Sequence, residues 1–187
     1  MTEAELTQNV IFLDRDGVIN LDSPCYIKRW DEYIFLPNSL DAIRLLTLAG
    51  YSLILITNQS IINRKWVHPE VLADIHLRLK NAVESHGGKI TDIFFCPHTP
   101  DEGCCCRKPE PGLIRQACDK YAIELSKTVM VGDSAKDILC GKAAGCGRTV
   151  LVQTGNGRTA CDILSKKGVY PDAVVSDLLD AAHWIMS

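Results

Sequence analysis

Directly after the apolar run Val-Ile-Phe-Leu, residues 14–17 read Asp-Arg-Asp-Gly. Extended backbone sends side chains two residues apart to the same side. Asp14 and Asp16 therefore share a direction, and Gly17 permits an immediate sharp turn. Two carboxylates held this close repel unless a proton or a cation lies between them. Mg²⁺, a hard and oxygen-seeking ion, suits such a pair together with a phosphate. The tetrapeptide alone is commonly a solvated turn; its place at the end of an apolar run is what points to chemistry. Other apolar runs close in the same manner. "LILITNQS" ends in Thr57 and Asn58, a hydroxyl and an amide suited to phosphate oxygens or, more simply, to a helix cap. "TVMVGDSAKD" ends in Asp133, with Asp137 one helical turn later. Lys108 stands between Arg107 and Pro109, whose ring restricts the backbone before it.

A second constellation lies in "CPHTPDEGCCCRKPEPG", residues 96–112. Cys96, His98, Cys104 and Cys106 form C-x-H-x5-C-x-C, a set of sulfur and nitrogen donors that fits a closed tetrahedral Zn²⁺ site. A closed site leaves no position for water, so the expected role is structural. Three consecutive cysteines leave Cys104, Cys105 or both as partners of Cys106.

These residues need a scaffold, and the pattern supplies strands alternating with helices. Strands are expected at 9–14, 51–58, 90–95, 128–133 and 148–155. Helices are expected at 39–50, 69–88, 112–122 (opened by Pro111), 135–145 and 176–186. In residues 69–88 the apolar positions 71, 72, 75, 79 and 83 follow a helical period. Continuous apolar runs such as "VIFL", "LILI" and "VMV" suit parallel strands buried on both faces. The pattern predicts an α/β fold: one Rossmann-like, three-layer α/β/α domain over 1–187 with a mostly parallel sheet. Ligands of such sheets bind beyond the carboxyl ends of the strands, where the polar residues above lie.

Composition sets outer limits. A chain of 187 residues, 47% hydrophobic, can bury one sizeable core. A net charge of −3 offers no basic surface for nucleic acid. The longest apolar runs are strand-sized, short of a membrane span. The opening "MTEAELTQN" has neither the basic start nor the apolar stretch of a secretory signal, so a cytoplasmic location is expected. In that reducing setting nine cysteines point to metal or catalysis rather than to a disulfide framework.

An Asp-x-Asp, a strand-end Thr, a loop Lys and a Gly-Asp-x-x-x-Asp in this order resemble the haloacid dehalogenase-like phosphohydrolases over essentially the whole chain. The resemblance implies that Asp14 is the nucleophile, forming an aspartyl-phosphate, and that Asp16 is the general acid and base. Asp16 then needs an environment holding its pKa above that of Asp14. It implies that Thr57 and Lys108 stabilise the phosphoryl oxygens. Mg²⁺ would be held by Asp14, the Asp16 backbone carbonyl and Asp133, with Asp137 at most orienting water around it.

Within that superfamily, "FLDRDGVIN", "TNQS", "CPH…CxCRKPxPG" and "VGDSAKD" resemble the D-glycero-D-manno-heptose 1,7-bisphosphate 7-phosphatase family of the histidinol-phosphatase-related branch. This implies no large cap domain, a zinc loop over 96–109, and hydrolysis of a sugar bisphosphate on the route to ADP-heptose for lipopolysaccharide or surface glycans. Arg107 would meet the second phosphate or sugar hydroxyls; Arg15, Asn20, Asp22, Tyr26, Asn58, Gln59 and Ser60 are the further candidate substrate contacts. The expected partner is a small phosphorylated sugar substrate, with no nucleic acid or membrane, and the protein is expected to be a monomer. The sequence departs from the family pattern in Cys105, where an aspartate is usual, and in Ile61 and Lys65, where glycines are usual. The last two predict a bulkier, stiffer loop beside the phosphate. Pro24 and Cys25 also make the segment after the nucleophile one residue longer. The rival readings are a histidinol-phosphate phosphatase, another small phosphomonoester phosphatase, a phosphoacceptor signalling domain and a zinc-dependent nucleic-acid protein.

Overall fold

The computed structural model describes residues 9–187; the polar opening over 1–8 lies outside the described residues. Six strands, β1 (Val10–Leu13), β2 (Ser52–Asn58), β3 (Asp92–Cys96), β4 (Val129–Gly132), β5 (Arg148–Val152) and β6 (Ala173–Val175), form one sheet in the order β3-β2-β1-β4-β5-β6. Every pairing is parallel. Ile11 lies opposite Leu53 of β2 and Val129 of β4, so β1 is central. The chain moves outward from β1 through β2 to β3 and then returns to the other side of β1 at β4. The C-terminal edge at this reversal of strand order is where a crevice opens in such sheets.

The helices are α1 (Ser39–Leu48), α2 (Pro69–Ser85), α3 (Gly112–Tyr121), α4 (Ala135–Ala144), α5 (Gly157–Lys166) and α6 (Leu178–Met186). All four residues of β1 are buried because both faces of the sheet are covered. Ile11 and Leu13 belong to the cluster containing residues of α1, α2 and α6. Val10 and Phe12 point the other way, to Leu113, Ile114 and Ala117 of α3 and Cys140 of α4. Ile138, Leu151, Ala160 and Leu164 continue that layer under α5. The alternation of period two within apolar runs thus builds three layers.

The expected strands and helices are present with shifted ends. Two elements were not foreseen. α5 begins in Gly-Arg-Thr and buries only Gly157, Ala160 and Leu164, too few apolar positions to stand out as a helix. β6 is three residues long at a sheet edge and has no fully buried residue. Among the described residues, short 3₁₀ turns lie in the connections at 30–32, 100–102 and 125–127, and no helix is long and apolar enough to cross a membrane.

Candidate active site

Three adjacent strands deliver the site. Asp14 follows β1, Thr57 is the penultimate residue of β2 and Asp133 follows β4. With Asp16 and Lys108 they line a cavity of about 700 Å³. Close approach here depends on glycine. Gly17 has φ +83°, and a Cβ on it would meet the Asp133 carboxylate at 2.2 Å. A Cβ at Gly132 would meet Asp137 at 2.1 Å.

Lys108 lies in the middle, almost fully buried. Its Nζ is 2.8 Å from Asp14 Oδ1 and 2.6 Å from Asp137 Oδ1, and it donates to the Ile56 carbonyl at 2.7 Å. Burial alone would lower its pKa, but Asp137 and Asp14 raise it above the ordinary lysine value, so the cation is kept. Asp137 therefore holds the lysine, a closer role than the outlying one expected. Its other oxygen accepts from the Ser134 amide at 2.9 Å and hydroxyl at 2.6 Å, capping α4.

Asp14, Asp133 and Asp137 each offer an oxygen within 4.8 Å of the others. Burial, opposed by Lys108 and reinforced by Asp137, Asp133 and Asp16, holds the Asp14 pKa well above the carboxylate range. Burial and Asp137 push Asp133 up to about 6, although the Asn156 amide and side chain donate to its Oδ2 at 2.7 and 3.2 Å. One lysine cation leaves three mutually repelling buried carboxylates short of positive charge, and a divalent cation would supply it. The donor set fits Mg²⁺.

Asp16 differs. Its Oδ1 accepts from Arg15 Nη2 at 2.9 Å, Arg15 Nε at 3.2 Å and Asn20 Nδ2 at 2.9 Å. Its Oδ2 accepts from Arg15 Nη2 at 2.9 Å and Gln59 Nε2 at 2.8 Å. Burial works to raise its pKa, but the Arg15 charge and these hydrogen bonds outweigh it and lower it. The expected order, Asp16 above Asp14, is thus reversed in this conformation: donors converge on Asp16 and carboxylates converge on Asp14.

Several candidate substrate contacts have partners within the protein. Arg15 is enclosed and forks onto Asp16. Asn20 is fully buried and holds Asp16. Gln59 bridges Asp16 to the Thr57 hydroxyl, donating to it at 2.9 Å. Asn58 clasps the backbone of Lys108. Ser60 is buried beside the Tyr26 hydroxyl at 3.2 Å. Asp22, Tyr26 and Arg107 line the cavity, Asp22 accepting from Asn156 at 3.1 Å and Arg107 donating to the His98 carbonyl at 2.9 Å. Sequence reasoning missed Asn156, a loop residue after β5 with no motif around it, and His76 of α2. Burial and the Arg15 charge push the His76 imidazole down to about 3, so it is neutral.

The four donors of the cysteine-rich loop also meet. Cys96 Sγ lies 3.2 Å from Cys106, 3.6 Å from Cys104 and 3.5 Å from His98 Nδ1; Cys106 is 3.3 Å from Nδ1 and 3.5 Å from Cys104. Near-equal separations of this size are the edges of a tetrahedron that could hold a metal ion. Cys105 points away and is exposed, which answers which of the three cysteines belong together.

Comparison with known proteins agrees with this geometry. The HAD-hydrolase-like family model matches residues 105–181. The D-glycero-β-D-manno-heptose-1,7-bisphosphate 7-phosphatase of Pseudomonas aeruginosa is 46% identical over 81% of this chain and 85% of its own. Its namesake in Neisseria meningitidis serogroup B is 40% identical over 95% and 94%. The chain belongs to the heptose-1,7-bisphosphate 7-phosphatase family. A crystal structure of the D,D-heptose 1,7-bisphosphate phosphatase from Bordetella bronchiseptica, complexed with magnesium and phosphate, superposes with a TM-score of 0.88 at 42% identity, covering 95% of this chain and 98% of that one. The chain is accordingly a phosphatase of the haloacid dehalogenase-like superfamily.

The Ile61 and Lys65 departures from the heptose phosphatase family pattern fall at two different places in the loop. Ile61 is fully buried and does not line the cavity, so its bulk never reaches the phosphate side. Lys65 has φ +59°, the left-handed conformation that a glycine adopts freely. The loop is braced around it: the Tyr26 and Trp66 rings meet edge to face at 5.2 Å, with the Arg64 guanidinium 6.0 and 5.7 Å from their centroids.

Proposed function

We propose that this chain removes the 7-phosphate of D-glycero-β-D-manno-heptose 1,7-bisphosphate in ADP-heptose biosynthesis, as a single-domain cytoplasmic monomer. The observation that carries the chemistry is the convergence of Asp14, Thr57 and Asp133 from neighbouring strands around the buried Lys108 cation. The β anomer follows the names of the relatives at 46% and 40% identity.

In this reading an Asp14 oxygen attacks phosphorus as the bond to the sugar oxygen breaks, and Asp16 gives that oxygen its proton. Water then attacks the aspartyl-phosphate, Asp16 takes the water's proton, and Asp14 is released with inorganic phosphate. Thr57 and Lys108 stabilise the charge on the phosphoryl oxygens throughout. Asp14, Asp133 and the Asp16 carbonyl hold Mg²⁺, which when bound supplies the charge that lets a carboxylate approach a phosphate. Asp16 must exchange part of its hold on Arg15 and Gln59 for a proton during the cycle. Cys96, His98, Cys104 and Cys106 would hold Zn²⁺, which would fix the loop that carries Arg107 and Lys108. Arg107, with Asp22 and Tyr26, meets the remainder of the substrate.

The test is phosphate release with Mg²⁺ from heptose 1,7-bisphosphate and from histidinol phosphate, side by side. Faster hydrolysis of the bisphosphate is expected, and preference for histidinol phosphate would overturn the substrate assignment. Asp14→Asn is expected to lose turnover while staying folded and keeping zinc; substantial remaining activity would remove Asp14 as nucleophile.

A further inference from the structure

The apolar stripe of α2 buries Leu72, Ile75, Leu79 and Val83, and a histidine, His76, lies among them. A buried imidazole without a partner is costly. Its partner is Arg15, whose Nη1 is 3.3 Å from His76 Nε2. Every guanidinium N–H is a donor, so Nε2 accepts and the ring proton sits on Nδ1. The Phe95 ring lies edge to face with the imidazole at 5.8 Å, and the Tyr33 ring lies 5.9 Å from the Arg15 guanidinium. His76 is not among the residues lining the cavity.

We propose that His76 is a positioning residue for the phosphatase reaction: through Arg15 it fixes the Asp16 carboxylate at the cavity wall. The guanidinium is planar, and Nε and Nη2 already point at Asp16. The direction of Nη1 therefore sets the angle of the whole fork. Without an acceptor at His76, Nη1 becomes an unsatisfied buried donor. The group then tilts toward another acceptor and carries Asp16 with it. Small displacements matter because proton transfer needs the carboxyl within hydrogen-bond reach of the leaving oxygen. The inference rests on the reading of Asp16 as general acid.

The experiment compares kcat/KM on heptose bisphosphate, whose alkoxide must be protonated as it leaves, with kcat/KM on p-nitrophenyl phosphate, whose phenolate needs no acid. For His76→Phe, a loss of about tenfold is expected on the alkyl substrate and within about twofold on the aryl one, since a misplaced acid forfeits part of its contribution. KM for the alkyl substrate should stay near the wild-type value. His76→Gln, whose side-chain carbonyl can accept from Nη1, should recover most of the loss. His76→Leu, which matches the surrounding stripe, carries the same expectation as His76→Phe should the latter fold poorly. Asp16→Asn should show the same selectivity more strongly. Equal losses on both substrates, or none, in the His76 variants while Asp16→Asn stays selective would overturn the role of His76 alone. An unselective Asp16→Asn would overturn the Asp16 reading, and the inference with it.

Discussion

Asn58 and Lys108, fifty residues apart, hold each other by a reciprocal pair of hydrogen bonds. The Lys108 amide donates to Asn58 Oδ1 at 3.0 Å, and Asn58 Nδ2 donates to the Lys108 carbonyl at 3.2 Å. The end of β2 thereby grips the loop whose lysine reaches Asp14 and Asp137. Removing this clasp is expected to cost about 1–3 kcal/mol, the penalty of unpaired polar groups in a partly buried place. Asn58→Ala should lower kcat by about tenfold or more, because Lys108 is no longer placed to meet developing charge. Unfolding by urea and steady-state rates on the same preparation check both effects; unchanged kcat would mean that the lysine is placed without the clasp.

The cysteine loop carries a sharper prediction. Elemental analysis of the native protein should find zinc, which Cys106→Ser should lose and Cys105→Ser should keep, because Cys105 lies exposed outside the donor cluster. Loss of a structural zinc is expected to cost about 3 kcal/mol or more and to lower Tm by about 6 °C or more in a chain of this size. Zinc retained in Cys106→Ser would point to another ligand set.

Stability should also depend on acid through His76. Its folded-state pKa is depressed from the ordinary 6.5 to about 3, so the unfolded chain takes up the proton first. The contribution is present above pH 6.5 and is lost as the pH falls toward 3. The slope is at most about 1.4 kcal/mol per pH unit for one group. Urea midpoints measured from about pH 7 down to about pH 4 should fall less steeply in His76→Gln than in the native chain. Parallel curves would show that His76 is protonated at no cost.

Away from the site, Asp177 caps α6, its Oδ1 accepting from the amides of Leu179 at 2.9 Å and Asp180 at 3.0 Å. Its Oδ2 accepts from Asn38 at 3.0 Å, tying that cap to the start of α1. Asp177→Ala is expected to cost about 1–2 kcal/mol and to leave kcat unchanged. A matching thermal scan and rate assay check this, and a change in kcat would show coupling between the helix end and the cavity.

What the sequence by itself determined was the layered α/β frame and the strand ends that matter. Apolar runs of period two, helical spacing and glycine stops are local signals, readable without knowing neighbours. Asp14, Asp16, Thr57 and Asp133 could be singled out because each follows such a run and a parallel sheet exposes its strand ends. That Cys96, His98, Cys104 and Cys106 could meet was legible because spacing within one loop bounds their separation. Tertiary structure decided the rest. It chose Cys104 over Cys105, since adjacent side chains diverge and only the path of the loop says which turns inward. It gave Arg15, Asn20, Asn58 and Gln59 protein partners that no motif announces, because what a polar side chain touches depends on what the fold places opposite it. His76 and Asn156 were invisible for the same reason: their partners lie far along the chain, and only folding brings them within hydrogen-bond reach.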